Sequence, residues 1–144
     1  MFKLPEKIYL AMIEQARSAF PNEACGILGG LPARVEQIYP ATNREASPVH
    51  FLLEPVEQLR IFQDMEEKGW QMLGTYHSHI KAAPYPSCED IEMAHYPESL
   101  HLILSLRDWD HPEVGGFWIR EGKVTEEGIE ITSQGGEERS GNES

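Results

Sequence analysis

Trp70-Gln71-Met72-Leu73-Gly74-Thr75-Tyr76-His77-Ser78-His79 runs into Ile80-Lys81-Ala82-Ala83-Pro84-Tyr85-Pro86 and then into Ser87-Cys88-Glu89-Asp90. The first run reads as a strand, the second as a proline-bearing loop, and the third as the opening of a short helix reaching about Ala94. Side chains alternate between the two faces of a strand, so His77 and His79 present their imidazoles together while Ser78 faces the other way. Asp90 lies eleven residues beyond His79. In the first helical turn its carboxylate can lean back over the strand end. Glu89 points about a hundred degrees away around the helix and is the poorer candidate.

Two imidazoles and a carboxylate suit zinc, whose catalytic sites take three protein ligands and keep a fourth position for water. Each half of the pattern also has a plainer use. Ser87-x-x-Asp90 is close to a helix capping box, which needs no metal, and two histidines on a strand can serve as hydrogen-bonded structural groups. The cap and the metal site are compatible, and their coincidence after a His-x-His strand is a much rarer arrangement than either alone.

Working outward, Tyr9, Ile13, Ala16 and Phe20 fall at helical spacing within residues 5 to 20, with Pro5 in the first turn. Pro21-Asn22 ends that helix. Ala24-Cys25-Gly26-Ile27-Leu28, stopped by Gly29-Gly30, reads as a short buried strand, and Arg34 to Tyr39 as another. After an extended piece near His50 to Leu53, Pro55 opens a helix with Leu59, Phe62 and Met65 on one face, closed by Gly69. Strands follow over Leu100 to Leu106, Gly116 to Arg120 and Val124 to Thr132. This order predicts one α+β domain over residues 1–132, an α-β-α sandwich with a mixed central β-sheet flanked by helices. Residues 133–144 lack the apolar content to offset the entropy of ordering them, so a disordered acidic tail is expected.

The 144 residues carry 12 Lys+Arg against 24 Asp+Glu, a formal charge of −12. Such a field repels nucleic-acid phosphates and anionic membrane surfaces, so neither is expected as a partner. The start, Met1-Phe2-Lys3-Leu4-Pro5-Glu6, has no apolar signal region, and no stretch approaches the roughly 18 apolar residues of a membrane span. A cytoplasmic protein is expected. Cys25 and Cys88 are too few for a disulfide framework or a four-cysteine zinc site, and each reads as a small buried hydrophobe.

His77, His79, Ser87 and Asp90 meet in full the spacing His-x-His, seven residues, Ser, two residues, Asp. In this the chain resembles the JAMM (MPN+) metallopeptidases. The family also places a glutamate after the first helix, at the entry to a strand of small apolar residues, and Glu23 in Pro21-Asn22-Glu23-Ala24-Cys25-Gly26 matches it. The resemblance spans the first helix to the strand at Leu100 to Leu106. It implies a cytidine-deaminase-like JAMM/MPN fold and one Zn2+ per chain held by His77, His79 and Asp90. It further implies Glu23 as general base, then acid, and Ser87 as the hydrogen-bond donor to the oxyanion. The implied reaction is hydrolysis after the C-terminal Gly-Gly of a ubiquitin-like or sulfur-carrier protein. The length leaves little room for the insertions of linkage-selective members and points to the compact prokaryotic type. Tyr85-Pro86-Ser87 is similar to small stand-alone members that process ubiquitin-like modifiers or release amino acids such as cysteine from sulfur carriers.

Other classes fit less well. A non-catalytic MPN scaffold would lack ligands, and here none is missing. A zinc deaminase needs His-x-Glu and a later Pro-Cys-x-x-Cys, for which Cys88 has no partner. An amidohydrolase barrel needs about 250 residues. His50, His95, His101 and His111 have no ligand-like spacing and receive no role, and Lys81 and Tyr85 stay outside the predicted site.

Overall fold

The computed structural model describes residues 1–133; the predicted disorder of the tail falls outside them from residue 134 onward. The histidine-bearing run is a strand, Gln71–His79 (β4), at the centre of a mixed six-stranded sheet. Across the sheet the order is Arg34–Ala41 (β3), Cys25–Leu31 (β2), β4, Leu100–Ser105 (β5), Glu113–Arg120 (β6) and Lys123–Glu127 (β7). β4 and β5 are parallel and every other neighbouring pair is antiparallel. A parallel pair requires a crossover. Here it contains the ligand loop and a short helix, Cys88–Glu92 (α3), so the predicted metal residues lie at the carboxyl end of β4, where open α/β sheets place their ligands.

Period-two alternation divides the sheet into two apolar faces. Leu100, Leu102 and Leu104 of β5 join Leu28 and Tyr76 against the stripe Ile8, Met12, Ile13 and Ala16 of helix Glu6–Ala19 (α1). Ile27 and Tyr39 on the other face cover Ile61 and Met65 of helix Pro55–Lys68 (α2), and beside them Ile103, Phe117 and Ile119 pack near α3. Helices on both faces of a mixed sheet make the predicted α-β-α sandwich. Gly26 leaves room for Tyr76 of the neighbouring strand β4 to lie across it, because a Cβ there would run into the Tyr76 hydroxyl. Among the described residues no helix is long and apolar enough to cross a membrane.

Several local expectations need correction. Pro5 is not in the first turn of α1; it is the cap residue and ends a strand, Phe2–Pro5 (β1), absent from the sequence reading. Ile13 and Ala16 of the predicted α1 stripe are buried, but Ile8 and Met12 complete it, leaving Tyr9 half-buried and Phe20 exposed against Trp109. Leu59 of α2 is exposed because it sits more than a right angle around the helix from the Ile61/Met65 stripe. The predicted Val124 to Thr132 strand is two, broken at Gly128. β7 stays in the large sheet, whereas Ile129–Thr132 (β8) leaves it to pair in parallel with β1. Cys25 is buried as expected, but Cys88 is exposed in the first turn of α3.

Candidate metal centre

His77 and His79 project from the same face of β4, as alternation requires, and both are buried. Ser78 faces the opposite side, where its hydroxyl accepts a 2.8 Å bond from the Ala24 N–H and ties β4 to the segment carrying Glu23. Asp90 comes from the crossover. Ser87 is the N-cap of α3, its hydroxyl accepting from Asp90 N–H at 3.0 Å while Ser87 N–H donates to Asp90 Oδ2 at 2.9 Å. The capping box fixes Asp90 so that Oδ2 faces both imidazoles.

The resulting triangle is close to equilateral. His77 Nε2 and His79 Nε2 stand 3.2 Å apart, His77 Nε2 to Asp90 Oδ2 is 3.2 Å, and His79 Nε2 to Asp90 Oδ2 is 3.1 Å. Tetrahedral ligands at 2.0–2.1 Å from zinc are spaced about 3.3–3.4 Å from one another. The triangle is within a few tenths of an ångström of that spacing, and the three residues can hold a metal ion.

The tautomer agrees. His79 Nδ1–H donates to the Ala83 carbonyl at 2.9 Å, so in the neutral ring the Nε2 lone pair points at Asp90. Two lone pairs facing each other need a positive charge between them, either a proton or a metal. Burial lowers the pKa of His79, but the Asp90 and Ala83 hydrogen bonds and the charges of Asp90 and Glu23 outweigh it and raise the net value. Burial dominates at His77 and pushes it down against the pull of Asp90. For Asp90, burial is overcome by the hydrogen bonds of the two imidazoles, which hold its carboxyl far below the usual range.

Glu23 lies two residues before the first residue of β2 and is 5% exposed. Burial raises its pKa to about 8, with His79 opposing and Asp90 and Glu89 adding to the rise. The structure thus brings Glu23 within electrostatic reach of His79 and Asp90. Ser87, by contrast, is exposed; its oxygen serves the cap as an acceptor and its hydroxyl hydrogen remains available to donate.

Other residues here had no signal in the local sequence pattern. Phe51 stacks on His77 with centroids 4.2 Å apart and planes at 18°. His50 Nδ1 contacts Glu89 Oε1 of α3, giving both residues a place at the rim. A cavity of about 160 Å³ opens beside His77 and Asp90, lined by Phe51, Leu53, Ile103 and His101. Burial pushes the His101 pKa down to about 4, and its Nε2 has no hydrogen-bond partner among the described residues. Tyr85 packs edge-on against Phe117.

Known proteins are similar to this chain in sequence and in structure. A CysO-cysteine peptidase of Mycobacterium tuberculosis is 36% identical over 126 residues, 86% of each chain. A desampylase of Pyrococcus furiosus is 37% identical over 84 residues, 58% of this chain and 60% of the relative. The solution structure of a protein from Desulfitobacterium hafniense superposes with a TM-score of 0.82 at 42% identity, covering 93% of this chain and 94% of the other. Residues 5–120 match the family described as prokaryotic homologs of the JAB domain, and to that family the chain belongs.

Proposed function

We propose that this chain is a zinc-dependent peptidase that hydrolyses the bond after the C-terminal Gly-Gly of a ubiquitin-like or sulfur-carrier protein. The observation that carries the reading is the His77–His79–Asp90 triangle at metal-ligand spacing beside the buried Glu23. Zinc supplies, when bound, a positive charge that lowers the pKa of water and polarises a carbonyl. Glu23 accepts the proton that the attacking water gives up, and then delivers it to the departing amine. A carboxylate held in a poorly solvated place is suited to both halves of that exchange, since burial has already brought its proton affinity toward neutrality. Ser87 donates its hydroxyl hydrogen to the carbonyl oxygen as negative charge develops there.

The substrate class follows from two kinds of support. The relatives named above are a CysO-cysteine peptidase and a desampylase. A Gly-Gly tail has no side chains to clash in a narrow approach to a buried metal. Either an amino acid or a lysine side chain on the far side of the bond would leave as the amine. Incubation with ubiquitin-like and sulfur-carrier proteins extended beyond Gly-Gly, with product masses read in the presence and absence of chelator, tests the reading. Cleavage that chelator abolishes, and that Glu23→Gln loses while keeping one zinc per chain, is the expected result. Chelator-insensitive cleavage would contradict it.

A further inference from the structure

We propose that Asn43 is a positioning residue for the reaction above, holding Glu23 in place through its main chain as the hub of a loop that also covers His77. The inference rests on the assignment of Glu23 as the base.

The loop between β3 and α2 is closed at its neck. Asn43 and Leu53 form an antiparallel bridge, Arg44 N–H donates to the Leu52 carbonyl at 2.8 Å, and Glu54 N–H donates to the Thr42 carbonyl at 3.3 Å. Inside the neck, the Asn43 carboxamide uses its whole hydrogen-bonding capacity. Nδ2 donates to the Glu23 carbonyl at 3.0 Å and to the His50 carbonyl at 2.9 Å. Oδ1 accepts from Glu45 N–H and from Leu52 N–H, each at 3.0 Å. Two carbonyls on one side and two amides on the other leave no freedom in which end is oxygen and which is nitrogen.

Glu23 lies just outside the β2 ladder, and its main-chain groups turn to this loop. Its carbonyl is held by Asn43, and its N–H donates to the Ser47 carbonyl at 2.8 Å. The position of the Glu23 Cα is therefore set by the Asn43–Leu53 loop on both sides. The far end of the same loop lays Phe51 on His77 and sets His50 against Glu89. One closed loop thus locates the base and covers a metal-site imidazole, with Asn43 joining the two parts. A misplacement of about 1 Å at a reacting group costs on the order of a hundredfold in rate, so the tie bears on catalysis without touching substrate.

Two substitutions separate this role from general support of the loop. Asn43→Ala removes all four bonds. Asn43→Asp retains acceptors for Glu45 and Leu52 but turns an acceptor-only group toward the Glu23 and His50 carbonyls. The measurements are kcat and KM on a cleavable Gly-Gly fusion, zinc content, and NMR hydrogen exchange of the Glu23, Glu45 and Leu52 amides in the full chain. For Asn43→Asp we expect kcat to fall about tenfold to a hundredfold, KM to stay within roughly threefold, and zinc to remain at one per chain. Exchange at the Glu23 amide rises by at least about tenfold while Glu45 and Leu52 stay protected. Unchanged kcat in a variant whose Glu23 amide has opened overturns the proposal, as does lost kcat with Glu23 still protected. If Asn43→Ala does not fold, Asn43→Asp carries the test. In the wild-type chain the Asn43 Nδ2 protons should themselves exchange slowly, and rapid exchange there overturns the proposal whatever the variants do. A wild-type chain that cleaves no fusion defeats the proposed function, while the exchange measurements still decide whether Asn43 holds Glu23.

Discussion

The ring of Phe51 lies on the imidazole of His77, centroids 4.2 Å apart and planes inclined by 18°. Such contacts are worth about 0.5–1.5 kcal/mol beyond the area they bury. Phe51→Ala should leave zinc bound but release it to a chelator about threefold to tenfold faster, followed with a chromogenic chelator. An unchanged release rate would mean that the ring does not guard the ligand.

Asp90 serves two structures with one oxygen, capping α3 through Ser87 N–H and facing both histidines. Asn supplies an oxygen to the cap but no charge to a metal. Metal-free, Asp90→Asn keeps the cap but loses the charge that both imidazoles hydrogen-bond, so it should melt below wild type. Its zinc affinity should fall by at least the roughly hundredfold that losses around a metal site reach. Asp90→Ala should additionally lose about 1 kcal/mol of metal-free stability with its half of the capping box. Equal zinc affinities in competition assays would remove Asp90 from the ligand set.

Ser87 separates in the same way. Ser87→Ala removes the cap acceptor, worth about 0.5–2 kcal/mol, together with the hydroxyl donor, whose loss in comparable sites lowers kcat by about 10²–10³. Ser87→Asp restores the cap and not the donor. Thermal melts should recover in that variant while turnover does not; recovery of both would leave Ser87 a purely structural residue.

The buried Glu23 gives the metal-free chain a pH-dependent stability. Its folded pKa stands at about 8 against an ordinary 4.5, because burial disfavours the charged form. Between those values the folded state keeps a proton that the unfolded chain has released, so stability falls as pH rises. Below pH 4.5 this contribution is fully present, and it is lost as pH climbs through about 8. Glu23→Gln carries no such charge. In chelator its advantage over wild type should be negligible at pH 4 and reach about 1–3 kcal/mol by pH 9. A gap that does not change with pH would place the carboxylate in water.

The meeting of His77, His79 and Asp90 was legible because its geometry is local. A strand places residues i and i+2 on one face whatever surrounds it, and the serine that starts a helix brings its own aspartate with it. His77, His79 and Asp90 needed only those two rules to meet. Glu23 came from a resemblance, since no local rule links it to β4; what joins them in space is strand pairing and the Ser78 bond to Ala24. Asn43, Phe51 and His101 escaped because their partners are fixed by the path of a loop and the register of β5, which no short pattern encodes. The faces of α1 and α2 were read only in part for a related reason: Ile13, Ala16 and Met65 are buried, while Phe20 and Leu59 are not. Each helix has more apolar residues than its contact can cover, and the sheet decides which stay exposed, as with Leu59.

The pairing of β1 with β8 ties the two ends of the described chain together. Phe2 lies opposite Ile129 and Pro5 opposite Thr132, while Leu4 between them is fully buried. During synthesis β1 is made long before β8, and it waits for its partner until the large sheet has followed. The large sheet and the His77–His79–Asp90 cluster are complete by Glu127, so the framework of the candidate site can assemble before the clasp closes. A chain stalled short of residue 129 would carry every candidate site residue yet leave β1 without its partner strand.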